Sequence, residues 1–140
     1  MLKTIEKSIN ILNQKEKNPK LSKKKLYGLE LVLEVFDCDL QILTSEKKIR
    51  EFIIGASNIT KLQRYRSPQI KRFMGGGLFG EGYSFFQFLS SSSITGHFIE
   101  PDRLAFINIF SCSLFDHKEA ANFTKEFFKA KRIRSKLIVH

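Results

Sequence analysis

Tyr83-Ser84-Phe85-Phe86-Gln87-Phe88-Leu89 runs directly into Ser90-Ser91-Ser92-Ser93, and Ile94-Thr95-Gly96-His97-Phe98-Ile99 follows. The first segment is almost entirely aromatic or apolar and reads as a central strand; the last has the composition of another. Four serines between two such segments are most simply a polar turn. Serine, histidine and cysteine, however, are the side chains that attack a carbonyl, move a proton near neutral pH and deliver a proton to carbon. Ser92, His97 and Cys112 flank these apolar segments, so the stretch is also a candidate site. Each has an ordinary reading beside the reactive one: a turn serine, a hydrogen-bonded strand histidine and a core cysteine.

Outward from this stretch the rest of the chain alternates between strand and helix patterns. Leu29, Leu31, Leu33 and Val35 fall on one side of an upstream segment and Glu30, Val32, Glu34 and Phe36 on the other, the period of a half-buried strand. Cys38, at its end, reads as a small buried residue rather than a reactive one. Ser45 is a helix cap, and Ile49, Phe52, Ile53 and Ala56 at helical spacing predict a helix over Ser45 to Ser57. Thr60 to Ser67 reads as a second, more polar strand ended by Pro68, which suits an edge or a solvent-facing strand. Gly75 to Gly82 is glycine-rich but lacks the lysine and hydroxyl of a phosphate-binding loop, so it reads as a flexible connection or a mobile rim. Leu104 to Leu114 alternates as a strand, with Cys112 on the Phe106, Asn108 and Phe110 side. Asp116 caps a helix from His117 to Lys129, buried through Ala120, Phe123, Phe127 and Phe128, and Ile133 to Val139 makes a last strand. This order predicts an α+β two-layer sandwich, an antiparallel sheet with two main helices on one face.

A chain of 140 residues supports one core, placed over 26–140 and preceded by a basic, polar extension over 1–25. Fourteen phenylalanines and no tryptophan predict a core built on phenylalanine. Two cysteines without a secretory signal read as reduced thiols in a cytoplasmic protein. No apolar run approaches the roughly 20 residues that cross a bilayer. The net charge of +10 invites a nucleic-acid reading, but much of it sits at the two ends, in Lys15 to Lys25 and Lys129 to Lys136. The first group reads as a solvated extension, with an arm for an anionic partner as the lesser reading. A nucleic-acid partner rests on charge alone.

Ser91-Ser92-Ser93-Ile94-Thr95-Gly96-His97 and Asn108-Ile109-Phe110-Ser111-Cys112 resemble, without a gap, the motifs E-S-H-I-S-I-H and D-[IV]-F-T-C of the short prokaryotic S-adenosylmethionine decarboxylases. Ser84, preceded by Gly82, falls on a second serine of that family, and Val35-Phe36-Asp37-Cys38-Asp39 is similar to the end of its opening strand, G-C-D. The resemblance spans roughly Tyr27 to the C-terminus. Ser91 and Ser93 stand where the family has glutamate and histidine, and Glu100 stands one place before the family's later glutamate.

The resemblance implies self-cleavage between Ser91 and Ser92, leaving residue 92 as a pyruvoyl cofactor that forms a Schiff base with the substrate amine and accepts the electrons released with carbon dioxide. It implies that Ser84 and His97 assist the cleavage, that Cys112 protonates the product carbon, and that Glu100 stands in for the residue holding the substrate's ribose. It further implies a homodimer, S-adenosylmethionine as the small-molecule substrate, a place in spermidine synthesis, and no metal. Two other readings stay open: a pyruvoyl decarboxylase of another amino acid such as ornithine or arginine, and an unprocessed, non-catalytic relative with a binding or regulatory role.

Overall fold

The computed structural model describes residues 25–75 and 80–140. The basic extension up to residue 24, and residues 76–79 of the glycine-rich stretch, lie outside the described residues, and with them the readings placed there. In chain order the elements are β1 (Leu29–Phe36), a single-turn helix α1 (Leu40–Leu43), α2 (Glu46–Thr60), β2 (Arg64–Phe73), β3 (Gly82–Leu89), β4 (Ser92–Ile99), β5 (Leu104–Ser111), α3 (His117–Phe127) and β6 (Arg132–Val139). The strands form one six-stranded sheet in the order β2-β3-β4-β5-β1-β6, with every neighbouring pair antiparallel. The architecture is the expected α+β sandwich.

The departures have local causes. α1 is one turn long, too short for a periodic signal, and is held by the Asp39 carboxylate accepting from the Gln41 N–H at 2.8 Å. α2 runs past Ser57, whose buried hydroxyl is satisfied within the helix by donating back to the Ile53 carbonyl at 2.6 Å, and the helix stops at left-handed Lys61. β2 begins later than expected and does not end at Pro68. The pairing register with β3 shifts between Tyr65 and Gln69, so the proline sits in a bulge on an edge strand, where its missing N–H breaks no ladder bond. Gln87 accepts this irregularity: its fully buried amide donates to the carbonyls of Tyr65, Arg66 and Phe88 at 3.3, 3.2 and 2.8 Å. β5 stops at Ser111 rather than Leu114, where the Ser111 hydroxyl closes a turn onto Ser113.

Alternation divides the sheet into two unlike faces. Leu31, Leu33, Val35, Phe85, Ile94, Phe98, Ile107 and Ile109 are buried together with Ile49, Phe52, Ile53, Ala120 and Phe128 from the helical layer. The core is built on phenylalanine as expected: the Phe52 ring lies 4.8 Å from Phe128, 5.5 Å from Phe127, 5.7 Å from Phe123 and 6.2 Å from Phe85, centroid to centroid. Gly96 belongs to this packing, since a Cβ there would run into the Phe85 ring. The other face reads in rows across the strands: Ser84, His97, Phe106 and Glu34; Phe86, Thr95, Asn108 and Val32; Phe88, Ser93, Phe110 and Glu30. Tyr65, Phe88 and Phe106 are exposed on it. Its acidic groups are tied within the sheet: Asn108 donates to Glu30 at 2.7 Å, His140 Nε2 lies 2.9 Å from the same carboxylate, and Arg134 pairs with Glu34 at 2.8 Å, while Lys71, Arg132 and Lys136 share this face by register.

Candidate functional site

Leu89 pairs with Ser92, so Ser90 and Ser91 alone make the turn between β3 and β4. Such a turn matches the strand twist when a residue adopts positive φ. Ser91 does so, at φ +55, a conformation that costs a residue with a side chain about 1 kcal/mol. The peptide bond between Ser91 and Ser92 therefore lies at a strained turn-to-strand junction. The Ser90 N–H is anchored to the Gln63 carbonyl at 2.9 Å. Ser92 is buried, and its hydroxyl oxygen accepts from the backbone N–H of Cys112 at 2.9 Å. The Cys112 thiol is exposed and lies 3.8 Å from the Ser90 carbonyl oxygen. Ser92 and Cys112, separated by 20 positions, thus meet at the turn. Cys38 is different: burial first, then the Asp37 charge, pushes its thiol up to about 12, so it is an inert core residue.

At the other end of the same hairpin, Ser84 and His97 face each other in register, with Ser84 Oγ 2.8 Å from His97 Nδ1. They open onto a cleft of about 380 Å³ lined also by Phe73, Gly82, Ile99 and Phe106. Glu100, just past β4, is at this end too. It is buried, and Arg72 grips it with both arms of its guanidinium, Nε to Oε1 at 3.0 Å and Nη2 to Oε2 at 2.6 Å. A free carboxylate for a substrate's hydroxyls is therefore not what this end presents.

The candidate residues consequently form two groups rather than one. Ser92 and His97 are five residues apart on β4, about 16 Å at the rise of a strand, and the odd spacing puts their side chains on opposite faces. Arg72, Ser111 and Gln87 were not singled out by the sequence. Arg72 acts across 28 positions, which no local pattern reveals, and Ser111 and Gln87 look like ordinary members of apolar strands. No cluster of metal-binding side chains occurs among the described residues, and none of their helices is long and apolar enough to cross a membrane.

The fold defines the class: a small two-layer α+β protein with one sheet, one helix-covered face, and Ser84 and Ser92 at opposite ends of one hairpin. Within that class the family model for S-adenosylmethionine decarboxylase matches residues 29–139, and the chain belongs to that family. The solved structure of the adenosylmethionine decarboxylase from Aquifex aeolicus VF5 is similar to it, with a TM-score of 0.67 over 81% of this chain and 90% of that one, at 21% identity. At that identity the likeness is one of fold. None of the curated proteins matches the chain by sequence.

Proposed function

We propose that the protein is a self-processing, pyruvoyl-dependent decarboxylase acting on S-adenosylmethionine in polyamine synthesis. The observation that supports this reading best is the Cys112 N–H held on the Ser92 hydroxyl oxygen at 2.9 Å, beside the strained Ser91. The residues at the turn fit the group: the serine that must be converted is fixed through its oxygen, and a thiol stands next to it. When formed, a pyruvoyl group at position 92 supplies an electrophilic carbonyl and an electron sink for decarboxylation.

The chain's own residues account for the steps around it. Attack of Ser92 Oγ on the Ser91 carbonyl breaks the peptide C–N bond and forms an ester. Loss of the Ser92 Cα proton then expels the Ser91 carboxylate together with that oxygen, and water releases ammonia from what remains. Because the acyl shift uses the backbone carbonyl of residue 91, a serine in place of glutamate there leaves the chemistry intact. In the tautomer in which Nδ1 donates to Ser84, His97 Nε2 carries the lone pair that a general base needs. The Cys112 thiol is the proton donor to the product carbon.

Within one chain His97 stands too far from Ser92 for this role. A homodimer in which the open sheet faces pack together removes the separation along the strand, bringing one copy's Ser84 and His97 against the backbone of the other's Ser90–Ser91 turn, while the Ser92 hydroxyl itself stays on the helix-covered side. Exposed Tyr65, Phe88 and Phe106 give that face an apolar character suited to burial. The bidentate hold of Arg72 on Glu100 favours a second reading of the substrate, the same chemistry on another amino acid.

Intact mass under denaturing conditions tests the reading. Two fragments that part between Ser91 and residue 92, the second carrying a pyruvoyl mass, with one uncut chain for Ser92→Ala, are expected. A single full-length mass in both proteins after long incubation would sink it and leave a family fold retained for binding or regulation. Carbon dioxide release from S-adenosylmethionine, ornithine and arginine then separates the two substrate readings.

A further inference from the structure

At the end of β5 the chain makes a closed turn around one hydroxyl. Ser111 is fully buried; its Oγ donates to the Ser113 carbonyl at 2.7 Å and accepts from the Ser113 N–H at 3.1 Å. A buried hydroxyl bonded in both directions to the same residue fixes the conformation of the residue between, since either bond lost would leave a buried polar group unpaired. That intervening residue is Cys112. Its N–H is the one held on Ser92 Oγ at 2.9 Å, and its thiol is the one 3.8 Å from the Ser90 carbonyl. The backbone on the other side leaves no slack: Ser111 pairs with Leu29, and a Cβ on Gly28 would meet the Ser111 carbonyl oxygen at 2.5 Å.

We propose that Ser111 is a positioning residue that aims the Cys112 amide at the Ser92 oxygen and sets the direction of the Cys112 thiol. Its bearing on cleavage rests on the self-processing reading above. In that chemistry the same oxygen is first the nucleophile and then part of the departing Ser91 carboxylate. An amide fixed on it steadies the hydroxyl before attack and stabilises the negative charge that develops as the carboxylate leaves. The donor must be held in place to act in both steps, and Ser111 supplies the holding without touching either reacting group.

The test compares Ser111→Ala, which removes both bonds, with Ser111→Thr, which keeps the hydroxyl. Cleavage of the purified chain is followed by intact mass, and the Cys112 amide is followed by hydrogen exchange in a His97→Ala background, which is expected to stay uncut and keeps the Ser92 hydroxyl that accepts from that amide. Ser111→Ala is expected to slow cleavage about tenfold and to speed Cys112 exchange, with Ser111→Thr restoring both to within a few-fold of the parent chain. Wild-type cleavage in Ser111→Ala, or exchange unchanged by the loss of the hydroxyl, would overturn the proposal. If the parent chain never cleaves, the self-processing reading fails by itself. The positioning role is then decided by the exchange alone: faster in Ser111→Ala and rescued in Ser111→Thr supports it, unchanged removes it.

Discussion

The two ends of the β3–β4 hairpin are built from the same strands and do different things. At the turn end Ser92 is buried, bonded to a backbone amide and preceded by a strained residue. At the far end Ser84 is paired with an imidazole on the open face, beside a carboxylate already occupied by Arg72. One serine is held by main chain, the other by a titratable side chain. The difference teaches that a pleated hairpin distributes side chains by parity and distance, so residues close in sequence end up apart on one chain.

The largest effect that can break this comparison is all or none. Chains carrying Ser92→Ala and chains carrying His97→Ala are each expected to stay uncut alone. Unfolded together and refolded as a mixture, they should yield cut His97→Ala chains, because mixed dimers contain one intact combination. No cut chain in the mixture, with mixed dimers demonstrated, would mean that both ends work within one copy or not at all.

Next in size is the packing that both ends share. Phe52→Ala removes a ring that touches four other phenylalanines and should lower stability by about 3–5 kcal/mol in denaturant titrations. Gly96→Ala, midway along β4, pushes a methyl group against Phe85 and should cost about 1–3 kcal/mol. A loss near zero for Gly96→Ala would show that the Phe85 ring moves aside and that the two ends are joined more loosely than their register suggests.

Smaller effects sharpen the picture chemically. Native alkylation near neutral pH should label Cys112 alone, with Cys38 reacting only on unfolding; peptide mapping reads the outcome. Hydrogen bonds from Asn108 and then His140 hold the Glu30 carboxyl below its ordinary value of 4.5. A depressed folded value means stabilisation that is present above that pH and lost as pH falls through the folded value. Asn108→Ala should therefore shrink the stability difference between pH 7 and acid by about 1 kcal/mol or less, Glu30 being partly exposed. An unchanged acid profile would remove Asn108 from that row's electrostatics.

Much of the fold was legible because period-two alternation is a local signal: Leu29 to Phe36 and the aromatic run from Tyr83 carry it openly. The serine turn was legible as a turn, and its composition marked it as a candidate site. Pro68 misled, because ending a strand at proline ignores a bulge, and the bulge depends on a glutamine amide hidden within an aromatic strand. The separation of Ser92 from His97 follows from strand geometry once the register is known, and no spacing motif states the register. Arg72 on Glu100 is a tertiary contact, invisible to any window of sequence.

The sheet's two outer strands have a consequence for self-association. β2 presents Arg64, Arg66 and Lys71, and β6 presents Arg132 and Lys136, beside Arg72 and Arg134, which are paired with Glu100 and Glu34. An open strand edge is a template for in-plane growth, and here any edge meeting another brings cation against cation. Ribbon-like polymerisation through the edges is opposed by charge, and because Lys71, Arg132, Arg134 and Lys136 lie on the open face by register, they also charge the rim of any stack built on that face. In about 1 M salt, where the screening length falls to roughly 3 Å, that guard is weakest, and concentrated salt is where fibrous aggregates of this protein should first appear.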